Sequence, residues 1–135
     1  MSWDVLLLKA KFDLEDSNAN PGSLGNRTEI IENLTALLPQ LDYSDKSWGM
    51  LSGEKFSIEF NTGENETVDT IMLHIRGGGD PLVVIKVICD STHWAALDCS
   101  TSEFIDTNNL SRESWENFQK FRDKVIGITP GDQAM

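Results

Sequence analysis

The sequence predicts a single α+β domain built on an antiparallel sheet, and three observations carry that expectation. Residues 71–82 pass from strict alternation, with Ile71, Leu73 and Ile75 opposed to Met72, His74 and Arg76, through Gly77-Gly78-Gly79 to Asp80 and Pro81. That is a strand running through a tight turn into a helix, since glycine tolerates backbone angles other residues avoid, Asp80 can cap a helix and Pro81 suits its first position. Lys55 to Asn61 alternates in the same way, with Phe56, Ile58 and Phe60 on one side. Two further segments carry apolar residues at helical spacing, Ile30 to Leu41 and Trp115 to Ile126.

In chain order, Trp3 to Phe12 reads as a first strand. Val5 and Leu7 lie on one face and Leu6 and Leu8 on the other, so a central position buried on both sides is expected. Asp13 to Gly25 gathers Asp, Ser, Asn, Pro and Gly and reads as an exposed loop. Asn26 and Glu29 form a capping pair for a helix carrying Ile30, Ile31, Leu34, Leu37, Leu38 and Leu41, with Pro39 near its last turn. Asp42 to Gly49 is rich in turn residues. The strand 55–61 is followed by the connection Thr62 to Glu66 and the strand Val68 to Arg76, which should pair antiparallel. Pro81 to about Ser91 is an apolar helix ended by His93-Trp94, and Ala95 to Ser100 is a further strand. Strand, helix, strand, strand, helix, strand is the ferredoxin-like split βαβ order. Right-handed crossovers then place the strands four, one, three, two, in a mainly antiparallel four-stranded sheet. A C-terminal helix with the stripe Trp115, Phe118, Phe121, Val125 and Ile126 should pack over the sheet's edge or across its open face. The domain is expected over 1–127, with a flexible tail at 128–135.

At 135 residues the chain is long enough to bury roughly two thirds of its unfolded surface without a disulfide or metal staple. Cys89 sits in an apolar run and Cys99 alternates with Leu97, so both read as reduced, buried cysteines of a cytoplasmic protein. The apolar stretch Val5 to Leu8 is too short for a signal core, and no segment approaches a transmembrane length. Acidic residues outnumber basic ones 22 to 11, giving a formal net charge of -11. Such a field repels nucleic acid and anionic membranes and favours a basic protein partner, although acidity also serves solubility alone.

Alternation yields one candidate ligand face. If Phe56, Ile58, Phe60, Ile71, Leu73, Ile75, Leu97 and Cys99 face the helices, then Ser57, Glu59, His74, Arg76 and Asp98 share the other side. A histidine between carboxylates could act as a general base and the arginine could orient an anionic group, or the cluster could be an ordinary salt-bridged face or one covered by a second subunit. The glycine triplet lacks a Walker lysine and a GxGxxG spacing, and Asp80 would repel a phosphate. His74 and His93 lie on different elements, so no metal site is expected, and no cofactor motif is present. Asp42 and Asp45 beside Trp48 form a candidate partner-binding patch, an aromatic anchor flanked by charge. Other acidic residues gather in loops at Asp13, Glu15 and Asp16, at Glu64, Glu66 and Asp69, and at Glu103 and Asp106.

Trp48-Gly49, residues 56–61 (Phe-Ser-Ile-Glu-Phe-Asn), residues 74–81 (His-Ile-Arg-Gly-Gly-Gly-Asp-Pro) and Trp94-x-x-Leu97-Asp98-x-Ser100-Thr101-x-Glu103-Phe104 together resemble a family of small, uncharacterised bacterial cytosolic proteins. The resemblance runs through most of the chain and implies no catalytic residues. In general character the chain is also similar to immunity proteins that neutralise bacterial toxins. Two functional expectations follow. One is an acidic binding module for a basic partner, such as a nuclease toxin. The other is a small-ligand binder or enzyme using the face around His74 and Arg76, and a homodimer burying that same face is the structural alternative.

Overall fold

The computed structural model describes residues 1–128. The tail expected from residue 128 lies, from 129 onward, outside the described residues. The strand β1 (Trp3–Leu8) leads through a long loop to a two-residue strand β2 (Gly25–Asn26) and the helix α1 (Arg27–Leu37). Asn26 caps α1 as its spacing to Glu29 predicts, its side-chain oxygen accepting the Glu29 amide at 3.2 Å. The helix stops at Leu38, whose amide closes on Leu34 O, just ahead of Pro39. The strands β3 (Leu41–Asp45), β4 (Trp48–Ser52) and β5 (Phe56–Asn61) follow. A short β6 (Thr67–Val68) pairs with β2, and β7 (Ile71–Gly77) runs into α2 (Leu82–Thr92). His93, in the left-handed region at φ 62, ends that helix. The chain closes with β8 (Ala95–Asp98), β9 (Glu103–Phe104) and α3 (Glu113–Ile128).

Seven strands form one sheet in the order β3-β4-β5-β7-β1-β8-β9, with every neighbouring pair antiparallel. The central run β5-β7-β1-β8 has the spatial order expected of the four strands, but the four-stranded ferredoxin-like sheet is not what forms. Residues 41–52 build a hairpin rather than a turn-rich connection, and β9 adds an edge. The hairpin is hidden because Asp42, Ser44, Asp45 and Gly49 are turn residues, while the alternation of Leu41 and Tyr43 with Asp42 is interrupted by an irregularity between Asp42 and Asp45.

One face of the sheet carries the core. Trp3, Val5, Leu7, Ile58, Phe60, Ile71, Leu73 and Ile75 are buried and meet Ile30 and Leu34 of α1, Ile85 and Ile88 of α2 and Trp115 of α3. The last helix therefore joins the same layer as the other two and does not cover the opposite face. Its attachment is specific: Trp115 stacks on Phe118 and lies 5.5 Å from the Trp3 ring. Trp115 Nε1 donates to Gly79 O, and Gln119 and Arg122 both donate to Gly77 O. The glycines are required there. Gly77 (φ 98) and Gly79 (φ 64) lie in the left-handed region, and a Cβ on either would fall within 2.5 Å of a backbone carbonyl oxygen, Lys55 O or Glu54 O respectively. Asp80 does not cap α2, whose cap is Pro81 without a side-chain hydrogen bond; its carboxylate instead pairs with Arg112 Nη2 at 2.6 Å. The stripe on α3 is also less buried than its spacing predicts, for Trp115 is enclosed while Phe121 and Val125 are exposed. No helix among the described residues is long and apolar enough to cross a membrane.

Candidate functional site on the open sheet face

Because side chains alternate along each strand, the strands that bury the core present their other residues on a face without helices. Pairing aligns these residues in rows. One row runs Trp48, Asn61, Met72, Leu6, Leu97, Phe104, and the next runs Asp42, Met50, Glu59, His74, Asp4. A third holds Ser52, Ser57 and Arg76. Ser57, Glu59, His74 and Arg76 are thus brought together as alternation predicts.

Asp98 is not with them. It pairs across from Val5, on the helix side, and is 4% exposed. The register of β8 differs by one residue from the one expected, because Ala95, Ala96, Leu97, Asp98 and Cys99 offer no clean alternation: Ala96 packs in the core, whereas Leu97 stands opposite Leu6 on the open face. Cys99 is accordingly exposed rather than buried. The carboxylate that does flank His74 is Asp4, which sequence reasoning missed. Its signal was present in the alternation of β1, where Asp4 shares a side with Leu6, but long-range register was needed to set it beside His74.

The geometry defines the chemistry available. Asp4 Oδ1 accepts from Ser2 Oγ at 2.6 Å and lies 2.8 Å from His74 Nδ1, so an ionised Asp4 places a proton on that nitrogen. Glu59, on the other side of His74, is 3.7 Å from Arg76 Nη1. These are half-exposed groups on a sheet surface. Grooves of about 640, 540 and 290 Å³ open elsewhere on the molecule, and none is lined by Ser57, Glu59, His74 or Arg76. Among the described residues no group of three or more His, Cys, Asp or Glu side chains is placed to hold a metal ion.

The candidate partner patch does assemble, at the β3–β4 hairpin on the rim of the same face. Asp45 pairs across from Trp48 and Asp42 across from Met50. Trp48 is 43% exposed, a large apolar side chain left in water. The carboxylates beside it are fixed: Asp42 Oδ1 accepts the Ser44 amide at 2.9 Å, and Asp45 Oδ1 accepts Ser47 Oγ at 2.6 Å and Ser47 N at 2.8 Å. The hydroxyl and then the amide of Ser47 hold the Asp45 carboxyl below its ordinary value. Beneath the hairpin, Tyr43 closes over Gly49, whose Cβ would fall 2.7 Å from the ring, and its hydroxyl meets Thr62 Oγ1 at 2.5 Å. Burial raises the Tyr43 pKa, against the opposing effect of that hydrogen bond.

The chain matches no protein-family model, no curated protein and no solved structure.

Proposed function

We propose that the protein is an acidic binding module whose open sheet face, entered from the Trp48 hairpin, receives a basic protein. The observation that carries this reading is the exposed Trp48 on the rim of a sheet face that no helix covers, with pre-oriented carboxylates on the neighbouring strand, Asp45 opposite it and Asp42 opposite Met50. An aromatic side chain supplies anchoring area at small entropic cost, and ordered charges around it orient the encounter. The face behind it continues the pattern, with Met50, Met72, Leu6 and Leu97 half-buried between Asp42, Glu59 and Asp4. Against these acids it offers Arg76, and the chain as a whole carries a net charge of -11, so charge complementarity selects a cationic partner. A basic bacterial toxin, such as a nuclease neutralised by an immunity protein, belongs to that class.

The test is to recover proteins bound to the purified domain at low salt, purify any that are basic, and measure one-to-one association directly. Trp48→Ala should raise the dissociation rate. Asp42→Asn with Asp45→Asn should instead slow association, an effect that fades as salt shortens the screening length to about 8 Å and below. A partner whose affinity is the same for wild type and both variants removes this face from the interaction.

A second reading is supported by one specific contact, the 2.8 Å Asp4–His74 pair with Arg76 nearby. Here the face would bind a small anion through Arg76 and a proton-bearing His74. The three grooves described above are all lined by other residues, which makes it the weaker reading.

A further inference from the structure

The apolar and acidic side chains of the open face stand in two parallel rows, and their spacing constrains what can lie there. The first row crosses six neighbouring strands, β4-β5-β7-β1-β8-β9, and sets Trp48, Met72, Leu6, Leu97 and Phe104 in line with one polar interruption, Asn61. Trp48 is exposed and Met72, Leu6, Leu97 and Phe104 are half-buried, so the row is an apolar band open to water. In the second row Asp42, Glu59 and Asp4 stand on β3, β5 and β1, which is every second strand, with Met50 and His74 between them.

The other flank of the band is walled. Leu8 shares its side of β1 with Leu6, yet it is only 3% exposed, and it lines the groove of about 290 Å³ together with Phe12, Pro21 and Thr70. The Phe12 ring meets the Phe104 ring edge-on at 6.0 Å. The loop between β1 and β2 thus folds over that margin, and the band becomes a trough between the loop and the carboxylates.

Strands stand about 4.8 Å apart, so the apolar row is about 24 Å long and successive carboxylates are about 9.6 Å apart. A helix rises about 1.5 Å per residue, so about sixteen residues span the row, and side chains seven apart on one flank recur every 10.5 Å or about two turns. The two repeats differ by only about 1 Å per interval. An extended segment fits less well. The interior strands are already paired on both sides, so a strand laid flat on them would find no partners for its own amides and carbonyls, whereas a helix carries its own. Charge sets the sign of the occupant. Arg76 stands one row further out, 3.7 Å from Glu59, and Lys46 lies in the turn after β3, against the carboxylates of Asp42, Asp45, Glu59 and Asp4.

We propose, resting on the reading that this face receives a basic protein, that it docks one amphipathic helix of that partner. The helix seats its apolar stripe along Trp48, Met72, Leu6 and Leu97, and its cationic side chains, seven residues apart, meet Asp42, Glu59 and Asp4.

The probe is an acetylated and amidated peptide of about sixteen residues, with leucine at helical spacing on one stripe, lysine at every seventh position on one flank, and glutamine or alanine elsewhere. Its control is an isomer of identical composition with leucine on alternate residues. Titrated into the isotopically labelled full chain, the helical peptide should give saturable amide shifts at residues 4–6, 48–50, 59–61 and 72–74 and gain helical circular dichroism. It should bind at least about tenfold more tightly than the alternating isomer. Met72→Gln, which keeps the length of the side chain and removes its apolar character, should weaken binding about tenfold, and Glu59→Gln should weaken it severalfold. Thermal unfolding of each variant checks its fold, and if Met72→Gln fails that check Glu59→Gln carries the test. Glu32→Gln, on α1 in the opposite layer, should leave affinity unchanged. Equal binding of the two isomers at the face, or affinity unaltered by Glu59→Gln, would overturn the helical occupant while a basic partner on this face still stands. Saturable shifts at the acidic loops 13–16 and 64–66 with none on the face would overturn both readings, and no saturable response to either peptide would overturn the helix.

Discussion

The two faces of the sheet are written by the same strands, one residue apart, yet they obey different rules. On the helix side Val5, Leu7, Ile58, Ile71, Leu73 and Ile75 are fully enclosed, and each is a Val, Leu or Ile whose only task is to fill space. On the other side Asp4, Leu6, Glu59, Met72, His74 and Arg76 alternate charge with flexible apolar groups, and none is fully enclosed. The first face stores the folding free energy, because removal of apolar surface from water is the main favourable contribution. The second is free to carry recognition, because changing it leaves that contribution nearly untouched.

The contrast is sharpest at adjacent residues of β7. Leu73→Ala should lower the unfolding free energy by about 2 to 5 kcal/mol, read from the denaturant midpoint, since it opens a cavity in a site with 0% exposure. A loss well below that range would mean that the two faces differ less than their burial implies. The cysteines give a chemical version of the comparison. Burial, with the nearby Asp90 charge, pushes the Cys89 thiol up to about 11, whereas Cys99 is exposed and raised more mildly, chiefly by partial burial. A disulfide reagent at pH 8 should therefore modify Cys99 first and reach Cys89 only on unfolding. The folded Cys89 value lies above the ordinary thiol value of 9.0, so its contribution to stability is present below about pH 9 and is lost as pH rises toward 11. Equal reaction of both thiols in the native protein would erase the distinction. The smallest effect is expected at His74→Ala, a half-exposed residue whose pairing with Asp4 should contribute about 0 to 1 kcal/mol. A larger loss would show that the open face also holds the fold together.

How much of this was legible in the sequence follows from how far apart the deciding residues lie. The alternation of 71–76 and 56–61 needs only near neighbours, and it correctly assigned Ser57, Glu59, His74 and Arg76 to one face. The Asn26 cap was legible for the same reason, its partner being three residues away. Asp98 was misplaced because the short β8 sequence Ala-Ala-Leu-Asp is compatible with either register, and only pairing with Val5 and Leu6 decides it. The β3–β4 hairpin was hidden by aspartates and serines that read locally as turn formers, yet Asp42 closes a local turn at the strand irregularity and Asp45 closes one in the hairpin loop. The position of α3 could not be read at all, since its polar anchors bind backbone atoms that any sequence possesses.

Trp115, Gln119 and Arg122 fasten α3 to carbonyl oxygens of Gly77 and Gly79, a stretch that has no side chains to exchange. The latch is therefore one-sided. Drift on the helix alters the key, whereas the lock is defined by backbone shape and endures as long as those glycines keep their dihedral angles. Variation in α3 can accumulate on its outer face, and the C-terminal helix can change its surface without changing its seat.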